Sequence, residues 1–114
     1  MDFNHFLTSY MPDLSIGSKI HFQNMIDQAV LAEKLGYKTV SIPEHHLVNL
    51  LMMPSPLQMA VKIATLTKDI KISTAVSVLP IHDMRTYAGE VATTDILTDG
   101  RLILGVGREL LHGK

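Results

Sequence analysis

Thr39-Val40-Ser41-Ile42-Pro43-Glu44-His45-His46 is a β-branched apolar run that stops at a proline and delivers three ionisable side chains. Tyr37 to Ile42 reads as a short buried strand. In α/β proteins the carboxyl ends of strands are where chemistry gathers. Taken alone, Glu44-His45-His46 has a second reading, a solvated loop with two ordinary surface histidines. Its flanks decide between the two.

Upstream, Phe3 to Tyr10 alternates apolar and polar residues and predicts a first strand. Ser18 is the expected cap of a helix reaching about Leu35, with Phe22, Met25, Ile26, Ala29 and Ala32 as its apolar stripe. Gly36 suits the left-handed residue that closes a helix, and Lys34 in the last turn suits its dipole.

Downstream, Ser55-Pro56-Leu57-Gln58 is a helix start, with Ser55 as cap, Pro56 first and Gln58 completing a capping box. Its stripe is Leu57, Ala60, Val61 and Ala64. Ile70 to Val78 predicts a third strand, continued by Leu79-Pro80. Asp83 then caps a third helix expected to bury Met84, Tyr87, Ala88, Val91 and Ala92. Thr98-Asp99-Gly100 turns the chain into a fourth strand, Leu102-Ile103-Leu104. Short Val/Ile/Leu strands with helices between them predict parallel pairing through helical crossovers. Pattern alone leaves an open doubly wound sheet and part of an eight-stranded α/β barrel both standing.

Composition narrows the function. Ten basic against eleven acidic residues leave neither a nucleic-acid footprint nor an acidic tail. The absence of cysteine removes disulfides, thiolate catalysis and Cys-type zinc sites together. Met1-Asp2-Phe3-Asn4-His5 is unlike a signal peptide, and no apolar run reaches the roughly 20 residues that span a bilayer. A cytoplasmic protein is expected. The 114 residues suit one small domain, 46% apolar, with no linker or tandem repeat. Met52, Met53 and Met59 could line an adaptable pocket or fill the core.

The strand-end loops should bring Glu44, His45, His46, His82, Asp83 and Arg108 to one rim. Adjacent histidines diverge, so at most one of His45 and His46 is expected to face a common ligand, the other packing or hydrogen-bonding within its loop. Glu44 could orient a histidine. No His-Glu-x-x-His pattern occurs, and no metal site is read. Gly105-Val106-Gly107-Arg108 fits either a phosphate clamp or a plain turn with an exposed arginine; a dinucleotide fingerprint would need a third glycine.

Taken together, these segments resemble the amino-terminal part of the bacterial luciferase-like flavin monooxygenases. The resemblance rests on Phe3 to Tyr10, Ala32 to Tyr37, Pro43-Glu44-His45-His46, Pro54-Ser55-Pro56, Ser73 to His82 and Asp95 to Arg108, in order and in register. It implies an α/β fold that is part of a (β/α)8 TIM-type barrel, with about four parallel strands and three intervening helices. Residues 1–108 would form the amino-terminal half of that barrel and residues 109–114 a non-matching tail.

The implied activity is monooxygenation of an aldehyde or other small organic substrate by O2. It would use reduced flavin mononucleotide (FMN) from a separate flavin reductase; some relatives use the deazaflavin F420. By the same resemblance His45 is the catalytic histidine beside the flavin, an acid/base or intermediate-stabilising group. Ala75-Val76 matches a peptide under the flavin ring that can be cis without proline, and Arg108 matches a phosphate contact. Glu44 and Gly107 complete the cofactor-binding set.

The departures bear on activity. Met84 replaces a proline common in relatives, and Glu109 puts a negative charge where a glycine usually follows the arginine. Half a barrel also leaves two unpaired sheet edges, so self-association into a homo-oligomer is expected. A flavin monooxygenase and a truncated, catalytically silent, self-associating relative therefore both remain as readings.

Overall fold

The computed structural model of the protein describes residues 2–47 and 51–107. Strands β1 (Asn4–Phe6), β2 (Thr39–Ile42), β3 (Lys71–Thr74) and β5 (Leu102–Ile103) form one sheet in the order β1-β2-β3-β5, and every pairing is parallel. Helices α1 (Ser18–Lys34), α2 (Pro56–Leu66) and α3 (Met84–Leu97) lie between successive strands of this sheet in the chain. Two further two-residue strands, β4 (Ser77–Val78) and β6 (Val106–Gly107), form a second parallel pair further along the same chain paths.

Alternation along the strands sorts the two faces of the sheet. Val40, Ile42 and Ile72 are completely buried and join Met25, Ala29, Ala60 and Ile63 of α1 and α2 in one core. Met53 and Met59 belong to that core as well, so two of the three clustered methionines are packing residues. On the opposite face Ser41 donates to Asn4 at 3.0 Å and shares a 2.6 Å hydrogen bond with Ser73. Phe6 and Ile103, in register with the same ladder, remain 51% and 44% exposed.

The element ends differ from the sequence expectations in physical ways. Gly17, at φ 84°, is the residue before α1, so Ser18 opens the helix rather than capping it. Ser55 precedes α2 with Pro56 at the helix start, but its side chain makes no capping bond, and the expected box with Gln58 is not formed. Asp83 does cap α3, accepting the Arg85 N–H at 3.0 Å. Gly36, at φ 92°, closes the end of α1 as expected.

The first strand is shorter than the alternation implied, and Tyr10 makes only an isolated bridge to Leu51. The third strand does not run unbroken from Ile70 to Val78: it splits into β3 and β4, with Leu79–Ile81 forming a 3-10 turn. The interruption holds the cis Ala75–Val76 peptide. There the Thr74 hydroxyl donates to Gly105 O at 2.8 Å and accepts Gly105 N–H at 2.9 Å, displacing ladder pairing. α3 buries only Tyr87 and Thr94, whereas Met84, Ala88 and Ala92 are exposed and Val91 half-buried. α3 packs on α2, and β5 ends the sheet beside it, so most of its periodic apolar face meets no neighbour among the described residues.

The amino ends of the strands are braced by two charges. Glu33 of α1 accepts the N–H groups of Lys68, Asp69 and Ile70 at 2.7–3.1 Å, just before β3. Arg101 donates to Ala64 O, Thr67 Oγ1, Ile70 O and Thr98 O, joining the end of α2 to the start of β5. This end of the domain is a clamp for the fold, and the carboxyl ends are left for chemistry.

Candidate active site

β2 ends at Ile42 and carries Glu44 into the interior, where it is only 3% exposed. A buried carboxylate must spend its lone pairs on donors. Oε1 accepts the Val78 N–H of β4 at 3.1 Å. Oε2 accepts Nε2 of His82 at 2.7 Å and Nε2 of His46 at 2.5 Å. Both imidazoles thus turn Nε2 to one oxygen of the carboxylate. Three segments of chain, the β2 loop, the β4 strand and the turn before α3, meet on this one side chain.

His82 is fixed from its other face. Its ring stacks on Tyr87 of α3 at 4.0 Å between centroids with a 20° interplanar angle. The Tyr87 hydroxyl donates to Ser77 Oγ at 2.6 Å, and Ser77 is fully buried. Burial pushes the Tyr87 phenol above its ordinary pKa, the Ser77 hydrogen bond pulls the other way, and the charges of Glu44 and Glu90 add to the rise. Tyr87 and Ser77 therefore support the site from behind. The helical stripe predicted Tyr87 as core, yet nothing in the spacing ties it to His82.

His45 holds its loop through the backbone, donating its N–H to Met53 O at 2.8 Å in an antiparallel bridge. Its half-buried side chain lines a cleft of about 730 Å³ together with His46, Leu47, Met52, Ile81 and His82. The divergence of the two histidines is seen in part: His46 turns to Glu44, and both border the cleft. A second cleft, about 1020 Å³ between α2 and α3, has Glu44 and His82 at its border.

Ala75–Val76 is cis, in keeping with the expectation for that peptide, and the Val76 side chain is 38% exposed. Gly107 lies against it: a Cβ built there would stand 3.1 Å from Val76 Cγ2. Asp83 does not join the convergence, because its carboxylate caps α3 and pairs with Arg85 at 2.8 Å in solvent. Arg108 and Glu109 lie outside the described residues. Among the described residues no helix is long and apolar enough to cross a membrane.

Parallel strands with intervening helices place a polar cluster on the carboxyl rim of an α/β fold. Residues 1–110 match the luciferase-like monooxygenase family, and the chain belongs to that family. It is 37% identical over 107 residues to the uncharacterised protein y4vJ of Sinorhizobium fredii, covering 94% of this chain and 30% of that one. It is 32% identical over 87 residues to the oxygenase component of the flavin-dependent trigonelline monooxygenase of Acinetobacter baylyi, covering 76% and 24%. The oxygenating constituent of 3,6-diketocamphane monooxygenase from Pseudomonas putida, solved with FMN, superposes with a TM-score of 0.90 at 24% identity over 97% of this chain. That superposition takes in 30% of the solved chain, and the fold here is accordingly part of a TIM-type barrel. The chain spans less than a third of the length of each of these relatives.

Proposed function

We propose that this chain contributes the first strands and loops of a flavin-dependent monooxygenase site, acting in the cytoplasm on a small organic substrate with O2. The observation that carries the reading is the shared rim: His45, the Glu44–His46–His82 cluster and the exposed Val76 beside its cis peptide stand at successive strand ends. When bound, reduced FMN supplies the electrons that activate oxygen, and a flavin reductase is the partner that delivers it. FMN is favoured over F420 because the Glu44-His45-His46 form resembles the FMN branch of the family.

The residues fit a planar aromatic cofactor. Val76 offers an apolar surface, and Gly107 leaves uncovered the side of it that a Cβ would crowd. In this reading His45 holds or moves a proton at the reacting centre. Glu44 keeps the loop in place through Val78 and His82, and Arg108 pairs with the cofactor phosphate. Fluorescence titration with oxidised and reduced FMN tests this. Saturable binding weakened by His45→Ala and by Arg108→Ala is expected; no binding at hundreds of micromolar overturns it for this chain.

A second reading rests on a different observation, the exposed Phe6 and Ile103 on the face of the sheet opposite the core that α1 and α2 cover. A catalytically silent chain that covers this face by pairing with a second copy accounts for them. Light scattering behind size exclusion decides: a dimer or larger species is expected, and a well-folded monomer at micromolar concentration removes this reading.

A further inference from the structure

Glu44, His46 and His82 place three ligand atoms, Oε2, Nε2 and Nε2, within 4.8 Å of one another. We propose that this cluster is a binding site for a divalent first-row transition metal of the zinc class. The donor set is a carboxylate and two imidazoles, a combination such ions accept with further positions left for water. The three ligands sit on two loops rather than on one helix, which is why no spacing motif announces them.

The site has the outer support that ligating groups need. The second oxygen of Glu44 is held by the Val78 N–H at 3.1 Å, so the carboxylate is aimed before any ion arrives. His82 is clamped flat on Tyr87, whose own hydroxyl is anchored on Ser77. His46 is the adjustable member, with a side chain 36% exposed on its loop, against 22% for His82 and none for Glu44. One buried, one clamped and one half-exposed ligand can close on an ion without disturbing the sheet.

Separations of 2.5 and 2.7 Å between the ligand atoms are hydrogen-bond distances. At metal–ligand bonds of about 2.1 Å both must widen to about 3 Å or more: rotation of His46 supplies the first, and a slide of the His82 ring over Tyr87 by a few tenths of an ångström supplies the second. Each Nε2 gives up its proton to the metal's place, and in a neutral ring that proton reappears on Nδ1 by exchange with solvent. No oxidation or bond cleavage is involved. Since His46 and His82 both line the 730 Å³ cleft, the ion replaces two hydrogen bonds at its wall and ties metal occupancy to the shape of the cleft.

Cobalt(II) titration of the full chain, followed by its visible absorption and by calorimetry, tests the assignment. One cobalt per chain is expected, with zinc competing for the same site. His46→Ala removes a half-exposed side chain, and His82→Phe keeps a ring to stack on Tyr87 while deleting Nε2. Each is expected to weaken cobalt affinity by at least about tenfold, with an unchanged far-ultraviolet dichroism spectrum. His5→Ala, whose ring bonds Gln28 instead, should bind as the parent does. No saturable binding at millimolar cobalt, or equal affinity in the parent and folded His46→Ala, overturns the proposal.

Discussion

Glu44 accepts the backbone N–H of Val78 at 3.1 Å, so a side chain from the loop after β2 satisfies the main chain of β4 in a fully dry setting. The bond explains why the two strand-end loops share one position. Glu44→Ala strands this amide and releases both imidazoles. Loss of a buried acceptor costs about 1–3 kcal/mol, and urea denaturation should show a loss of that size. Glu44→Gln keeps one oxygen for Val78 but offers an amide in place of the second acceptor, so a smaller loss is expected. Equal stability of Glu44→Ala and the parent would contradict the role.

Much of the frame was legible because it follows from local rules. Pro56, Asp83 and Gly36 mark element ends through φ restriction, side-chain capping and a left-handed turn, all properties of one or two residues. The β-branched runs gave the parallel strands for the same reason. The stripe of α3 misled because periodicity says which face is apolar, not whether anything lies opposite it. Likewise Glu44 and the histidines could be placed at the rim from the strand end. The partnership of Glu44 with His82 and of His82 with Tyr87 depends on three-dimensional closure that no spacing encodes.

Gly105 and Gly107 look alike in sequence and should respond differently to alanine. A Cβ on Gly105 would lie 2.3 Å from Thr74 O, a backbone atom that cannot step aside alone. Gly105→Ala must push β5 from β3 and strain both Thr74–Gly105 hydrogen bonds. A destabilisation of about 1–3 kcal/mol is expected, the range for overpacking. At Gly107 the nearest atom is a methyl of Val76 at 3.1 Å, which can shift by a few tenths of an ångström. Gly107→Ala should cost clearly less when thermal melts of the two variants are compared, and the reverse order would defeat the argument.

Tyr87→Phe isolates one hydrogen bond behind the site. The ring that stacks on His82 remains, while the fully buried Ser77 hydroxyl loses its 2.6 Å partner. The expected loss is about 1–3 kcal/mol by denaturant titration, the cost of leaving a buried polar group unpaired. Combining Tyr87→Phe with Ser77→Ala should recover part of it, because removing both partners leaves no stranded polar atom. A double variant as unstable as the sum of the singles would mean that the hydroxyls act independently.

Glu33 sets an acid limit on the fold at the opposite end of the strands. Burial pushes its carboxyl upward, but the N–H groups of Asp69, Ile70 and Lys68, with the charge of Arg101, outweigh it and hold the pKa below the ordinary 4.5. A lowered folded value means that the unfolded chain takes up its proton first as pH falls. The stabilisation is therefore complete above about 4.5 and disappears as pH drops through the folded value. Asp13 and Asp83 are lowered too, by Ser15 and Arg85 respectively, so the parent chain should lose stability over the same acid range for more than one reason. Glu33→Gln separates the contributions. It should be less stable than the parent at neutral pH, and the gap between the two should narrow steadily below pH 4.5 in urea titrations at stepped pH. A gap that stays constant down to the acid transition would show that the amide cradle before β3 does not depend on the charge of Glu33.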